Sequence, residues 1–131
     1  MKRMIMLTIF LLTLFGVIGA KKQLEGAEIT FEQLNHDFGT LQQRGEKVTH
    51  LFEFTNTGTA PLIITRATTS CRCISVKHPK RPVKAGQKGV IEVTYDPKDV
   101  GVFNKGIDIH ANISGGTITL FVTGETVDSR Q

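Results

Sequence analysis

The 131-residue chain carries 16 Lys and Arg against 12 Asp and Glu, and two of those cations, Lys2 and Arg3, sit in an N-terminal segment treated apart below. The remaining 14 against 12 give a net charge of +2, too balanced for the concentrated basic face that nucleic-acid binding uses. Roughly 100 residues are left for folding, the size of one ordinary domain and enough to bury a core without disulfide staples.

The chain opens with a positive pair, Lys2 and Arg3, followed by an apolar run from Met4 to Ile18 broken only by Thr8, Thr13 and Gly16. Gly19 and Ala20 then supply small residues at a cleavage site. This three-part order predicts a secretory signal peptide over residues 1–20. A spanning helix needs about 20 apolar residues, so a retained anchor fits less well, and no cysteine lies at the cut for lipid attachment. The expected location is therefore exported, periplasmic or extracellular. Membrane contact is expected only through an uncleaved signal segment.

The remainder reads as one domain over residues 28–127 with a polar tail at 128–131. Apolar residues recur there at every second position, and turn residues separate the runs, which predicts strands. Ile29 and Phe31 make a first short strand, and "HDFG" (His36 to Gly39) a second extended piece. "VTHLFEFTN" follows, with Val48, His50, Phe52 and Phe54 on one face and Thr49, Leu51, Glu53 and Thr55 on the other. Asn56 to Pro61 is a turn. "LIITRATT" has consecutive apolar residues, which implies either two covered faces or a bulge.

After the cysteine segment "TTSCRCISV", the stretch "KHPKRPVKAGQKG" reads as a solvated loop. "VIEVTYDP" then places Ile91, Val93 and Tyr95 on one face. "VFNKGIDIHAN" places Phe103, Ile107, Ile109 and Ala111 together, and "SGG" (Ser114 to Gly116) signals a tight hairpin. "TITLFVTGE" turns Ile118, Leu120 and Val122 inward. The sum is an all-β, Ig-like antiparallel β-sandwich of about seven strands. The chain has no tryptophan, and its two cysteines are too close together to be an inter-sheet pair, so apolar burial must hold the sheets.

The succession "HDFG", "FEFTNTGTAPLII", "SCRC", "VKAGQKGVIEVTYDP" and "GVFNKGIDIHAN" resembles a secreted bacterial family catalogued as domain of unknown function 1573. That family is similar to Ig-like domains of the hydin and major-sperm-protein kind. The resemblance implies an Ig-like sandwich, export, and no assigned activity. Its Ser-Cys-Gly-Cys-Thr hallmark is met by Ser70, Cys71 and Cys73, while Arg72 and Ile74 depart from it. If the family's Gly provides a positive φ, Arg72 is strained in the same place.

Cys71 and Cys73 are the candidate site, as a disulfide or as thiols. In an extended strand their Cα atoms would lie about 6.5–7 Å apart at ~3.3 Å per residue, at the limit for a bridge, so bridging needs a kink. Two thiolates would also suit a soft ion such as Cu(I), with His78 the nearest further ligand in sequence. The third reading is a pair of small, reduced, half-buried residues. The spacing is one residue short of C-x-x-C.

Other polar residues read as structural. His50 is expected to be a core or edge histidine with a backbone partner, His110 and Asp108 a surface pair, and Asp37 a local backbone acceptor. Leu51 and Phe121 fall on polar faces and would mark a contact surface if adjacent. No phosphate loop, paired carboxylates or G-x-S-x-G occurs. The expectation is a non-enzymatic module with no cofactor, no metal site, no small-molecule substrate and no nucleic acid. A protein partner or self-association is expected instead.

Overall fold

The computed structural model describes residues 26–130, so the expected signal segment falls outside the described residues. Eight strands form: β1 (Ile29–Phe31), β2 (Asn35–Gln42), β3 (Val48–Asn56), β4 (Ile64–Thr68), β5 (Ile74–Lys77), β6 (Lys88–Tyr95), β7 (Gly101–Ala111) and β8 (Thr117–Val127). They build two four-stranded sheets, ordered β1-β3-β6-β5 and β2-β8-β7-β4. The inward set read from the alternation is the core. Phe52, Phe54, Ile91, Val93, Tyr95, Phe103, Ile107, Ile109, Leu120 and Val122 are all buried between the sheets, and Val48 and His50 close the row half-buried.

Three features differ from the sequence reading. The strand beyond seven is β5, which follows the cysteines directly. It is short, ends just before His78 and Pro79, and pairs with β6 from Ile74 opposite Tyr95 to Lys77 opposite Glu92. Second, "HDFG" belongs to an eight-residue strand that pairs parallel to β8, with Asn35 opposite Phe121. Parallel neighbours need a long connection, and almost the whole domain lies between β2 and β8. Third, the apolar run "LIIT" is a bulge: the β4–β7 register shifts between Ile64 and Arg66. Leu62 and Ile64 turn inward while Ile63 is exposed.

A second bulge interrupts β2 between Asp37 and Thr40. Gly39 takes φ 72° there, a conformation glycine adopts at no steric cost. Asp37 Oδ1 accepts from Gly39 N at 2.7 Å, the local backbone role its position implied. Opposite Phe54 stands Gly89, and a Cβ on it would collide with the Phe54 ring. A glycine is required because the ring fills the space a side chain would take.

Asn56 is fully buried among these side chains. Asn56 Nδ2 donates to the carbonyls of Ala60 at 2.8 Å and Val83 at 2.9 Å. Its Oδ1 accepts from Gly58 N at 3.0 Å and Glu28 N at 3.4 Å. Saturating its amide makes burial tolerable, and it ties three loops to the end of β3.

Candidate functional site

Cys71 and Cys73 lie where the chain crosses between sheets, after edge strand β4 and before edge strand β5. A tight turn forms there, with Ile74 N donating to Cys71 O at 3.3 Å. This is the kink that bridging needed. The Cα atoms come to 5.2 Å and the two sulfurs are joined. Arg72 is exposed at the turn, and Arg44 is the non-glycine residue with positive φ among the described residues. The strain expected at Arg72 is therefore absent: the turn forms with an ordinary backbone, so a side chain is accepted where the family has glycine.

Both flanks of the turn are anchored. Thr69 Oγ1 donates to Gly106 O of β7 at 3.0 Å, and Asp96 N donates to Cys73 O at 2.8 Å. Cys73 packs against the hydrophobic core. Cys73 N donates to Cys71 Sγ at 3.2 Å. Beside the turn is a recess of about 290 Å³ lined by Thr68, Thr69, Ser70, Gly106 and Asp108. His78 does not turn toward the sulfurs through its Nδ1, which lies 3.0 Å from Pro79 O.

His50 keeps the apolar face the alternation gave it, but the histidines find other partners than their sequence contexts suggested. Among the described residues the His50 ring has no backbone hydrogen-bond partner. Its ring stacks on His36 with centroids 3.6 Å apart and planes 8° from parallel, and meets Phe52 edge-on at 4.7 Å. Since β2 and β3 belong to different sheets, this stack joins the sheets. It continues through Phe38, Tyr95 and Phe103, the last two 4.1 Å apart. Burial, and secondly the charge on His36, push the His50 pKa below 6.5. Protonating both rings of a stacked pair sets like charges against each other. A depression of about 240 Å³ adjoins His50, with Glu32 and Glu53 in its lining.

His110 and Asp108 do not pair with each other. His110 Nε2 is 3.0 Å from Thr68 Oγ1 and its Nδ1 3.1 Å from Thr117 Oγ1, whereas Asp108 accepts from Thr119 Oγ1 at 2.6 Å. Cross-strand threonines are nearer to each than the two are to one another's polar atoms. Leu51 and Phe121 are both exposed, but they lie on strands of different sheets and face solvent on opposite sides of the sandwich. They form no shared patch.

An open depression of about 500 Å³ runs over β2, β8 and β7 and is lined in part by Gly39, Thr40, Val102, Asn104, Gly124 and Glu125. Gly39 leaves the backbone uncovered there, whereas at Gly124 the Phe103 ring fills the place of a side chain. Val102 on its lining is 83% exposed, far beyond what a strand valine needs for packing. No sequence signal pointed to this region, because its lining comes from three strands that only the sheet brings together.

A family model of proteins of unknown function, DUF1573, matches residues 29–126. The chain belongs to this family. No curated protein matches the chain. Among solved structures, the DUF1573 domain is similar to a protein of unknown function from Porphyromonas gingivalis W83, with a TM-score of 0.66, 19% identity, and coverage of 77% of this chain and 47% of that one. It is also similar to a PapD-like domain of human CEP192, with a TM-score of 0.64, 10% identity, and coverage of 77% and 86%. A third likeness, at 0.60 and 21% identity, is to the Vibrio cholerae VesB protease, covering 75% of this chain and 32% of that protein. The chain thus spans about half of the Porphyromonas protein and a third of VesB. At these identities the likeness is one of fold: the DUF1573 chain is an Ig-like, PapD-like sandwich.

Proposed function

We infer that this DUF1573 domain is an exported, non-enzymatic module that binds a protein partner, or a second copy of itself, in the cell envelope. The observation that carries the reading is the edge formed by β2. This eight-residue strand pairs on one side with β8 and ends its sheet on the other, leaving a row of backbone donors and acceptors for an added strand. The groove over β2, β8 and β7 runs inward from that strand, with Val102 at its far side on β7, so a partner that seats on the edge and reaches across the sheet face also meets an apolar side chain. Export rests on the N-terminal pattern of Lys2, Arg3 and the apolar run to Ile18.

Affinity capture from envelope extracts, paired with light scattering of the purified domain, tests this. The expected result is a recovered partner or a dimer that is lost in Val102→Asp, with unfolding unchanged because Val102 is exposed. A monomer that captures nothing, or capture indifferent to Val102→Asp, counts against it.

A second reading places a thiol–disulfide or soft-metal function at Cys71 and Cys73. The joined sulfurs in an anchored turn favour its thiol–disulfide form, since a bridged pair presents no thiolate to a metal.

A further inference from the structure

The Cys71–Cys73 bridge spans a sequence separation of 2. So small a loop removes little entropy from the unfolded chain, and the core between the sheets does not depend on it. The bond is therefore free to break without loss of the fold, unlike a bridge that staples distant strands. Its two sulfurs are also unequal. Both cysteines are half-buried, but Cys73 packs against the core, while Cys71 directly follows Ser70, a lining residue of the recess. Cys71 Sγ accepts the Cys73 N–H at 3.2 Å. A backbone donor aimed at that sulfur favours a thiolate at Cys71.

Resting on the thiol–disulfide reading above, we propose that the bridge is an exchange site that passes its disulfide to a dithiol in an extended polypeptide, with Cys71 the sulfur that carries the mixed disulfide. A thiolate of the substrate attacks Cys71 Sγ. The Cys71–Cys73 bond breaks, and its electron pair goes to Cys73, which takes a proton. The substrate's second thiolate then attacks its own sulfur in the mixed disulfide, and Cys71 leaves as a thiolate. The substrate dithiol has lost two electrons and two protons to the cysteine pair. A stabilised Cys71 thiolate favours the reduced form and so makes the bridged form the more oxidising. The place suits an extended substrate: edge strand β4 ends at Thr68 and edge strand β5 begins at Ile74, so a strand added to either edge passes the sulfurs.

The test mixes bridged wild-type protein with a synthetic peptide of alternating sequence carrying two cysteines, quenches with acid, alkylates, and maps the products by mass spectrometry. The expected result is oxidised peptide, reduced protein, and a trapped mixed disulfide on Cys71. In single variants, Cys71 of Cys73→Ser should alkylate at neutral pH several-fold faster than Cys73 of Cys71→Ser. A mixed disulfide on Cys73, or equal alkylation rates, overturns the assignment while the exchange reading stands. A bridge that stays closed while the peptide stays reduced overturns both.

Discussion

Cys71 and Cys73 are near neighbours in the chain and meet in one turn, whereas His36 and His50 come from strands of different sheets and meet only because the sheets stack. The cysteine pair is local: its geometry needs a kink, two anchoring hydrogen bonds and little else. The histidine pair is global, part of a column of rings from Phe52 to Phe103 that crosses between the sheets three times. The lesson is that covalent and noncovalent links are not ranked by bond strength. A covalent bond across one residue barely restricts the unfolded chain, while a noncovalent column between sheets closes loops that span much of the domain and buries apolar surface.

Cutting the column gives the largest effect. Phe52 is 1% exposed and supports the edge of His50, so Phe52→Ala should lower unfolding free energy by about 3–5 kcal/mol, read from urea denaturation at pH 7. A loss below 1 kcal/mol would show that the column is not what joins the sheets.

Opening the bridge gives a smaller one. The Cys71→Ser/Cys73→Ser double variant should cost about 1.5 kcal/mol or less on loop-entropy grounds, with an unchanged far-UV spectrum. A loss equal to that of Phe52→Ala would place the bridge among the stapling elements and weaken the exchange proposal.

The smallest effect is expected from pH, because both imidazoles are only half-buried. The His50 pKa is held below its unfolded value of 6.5 by burial and by His36. Just below pH 6.5 the unfolded chain therefore binds more protons than the folded one. Its contribution is present above that pH and is lost as pH falls toward and through the folded pKa. The melting temperature should drop on going from pH 7 to pH 5, and His36→Asn should shallow that slope by removing the like charge. An identical slope in His36→Asn would show that the stacked partner does not set the pH response.

Strand alternation was legible wherever one face meets the core: "VTHLFEFTN" and "VIEVTYDP" gave both the strands and their buried faces. "ISVK" was not read as a strand, since four residues before a proline carry too little pattern to separate from a loop. The partner of "HDFG" was equally hidden, because its pairing with β8 joins the two ends of the domain. His50 could be placed on an apolar face, but its partner depends on how β2 packs over β3. Asn56 read as a turn residue, and its burial follows from three loops converging on it.

The sequence alone determined the all-β class, the inward and outward face of each long strand, the family, and the residue pair worth testing. These are properties of local periodicity and short motifs. Tertiary structure decided the parallel β2–β8 pairing, the histidine stack and the groove beside Val102. Each of these depends on which distant segments are brought together, and burial of the shared core, rather than any local preference, fixes that choice.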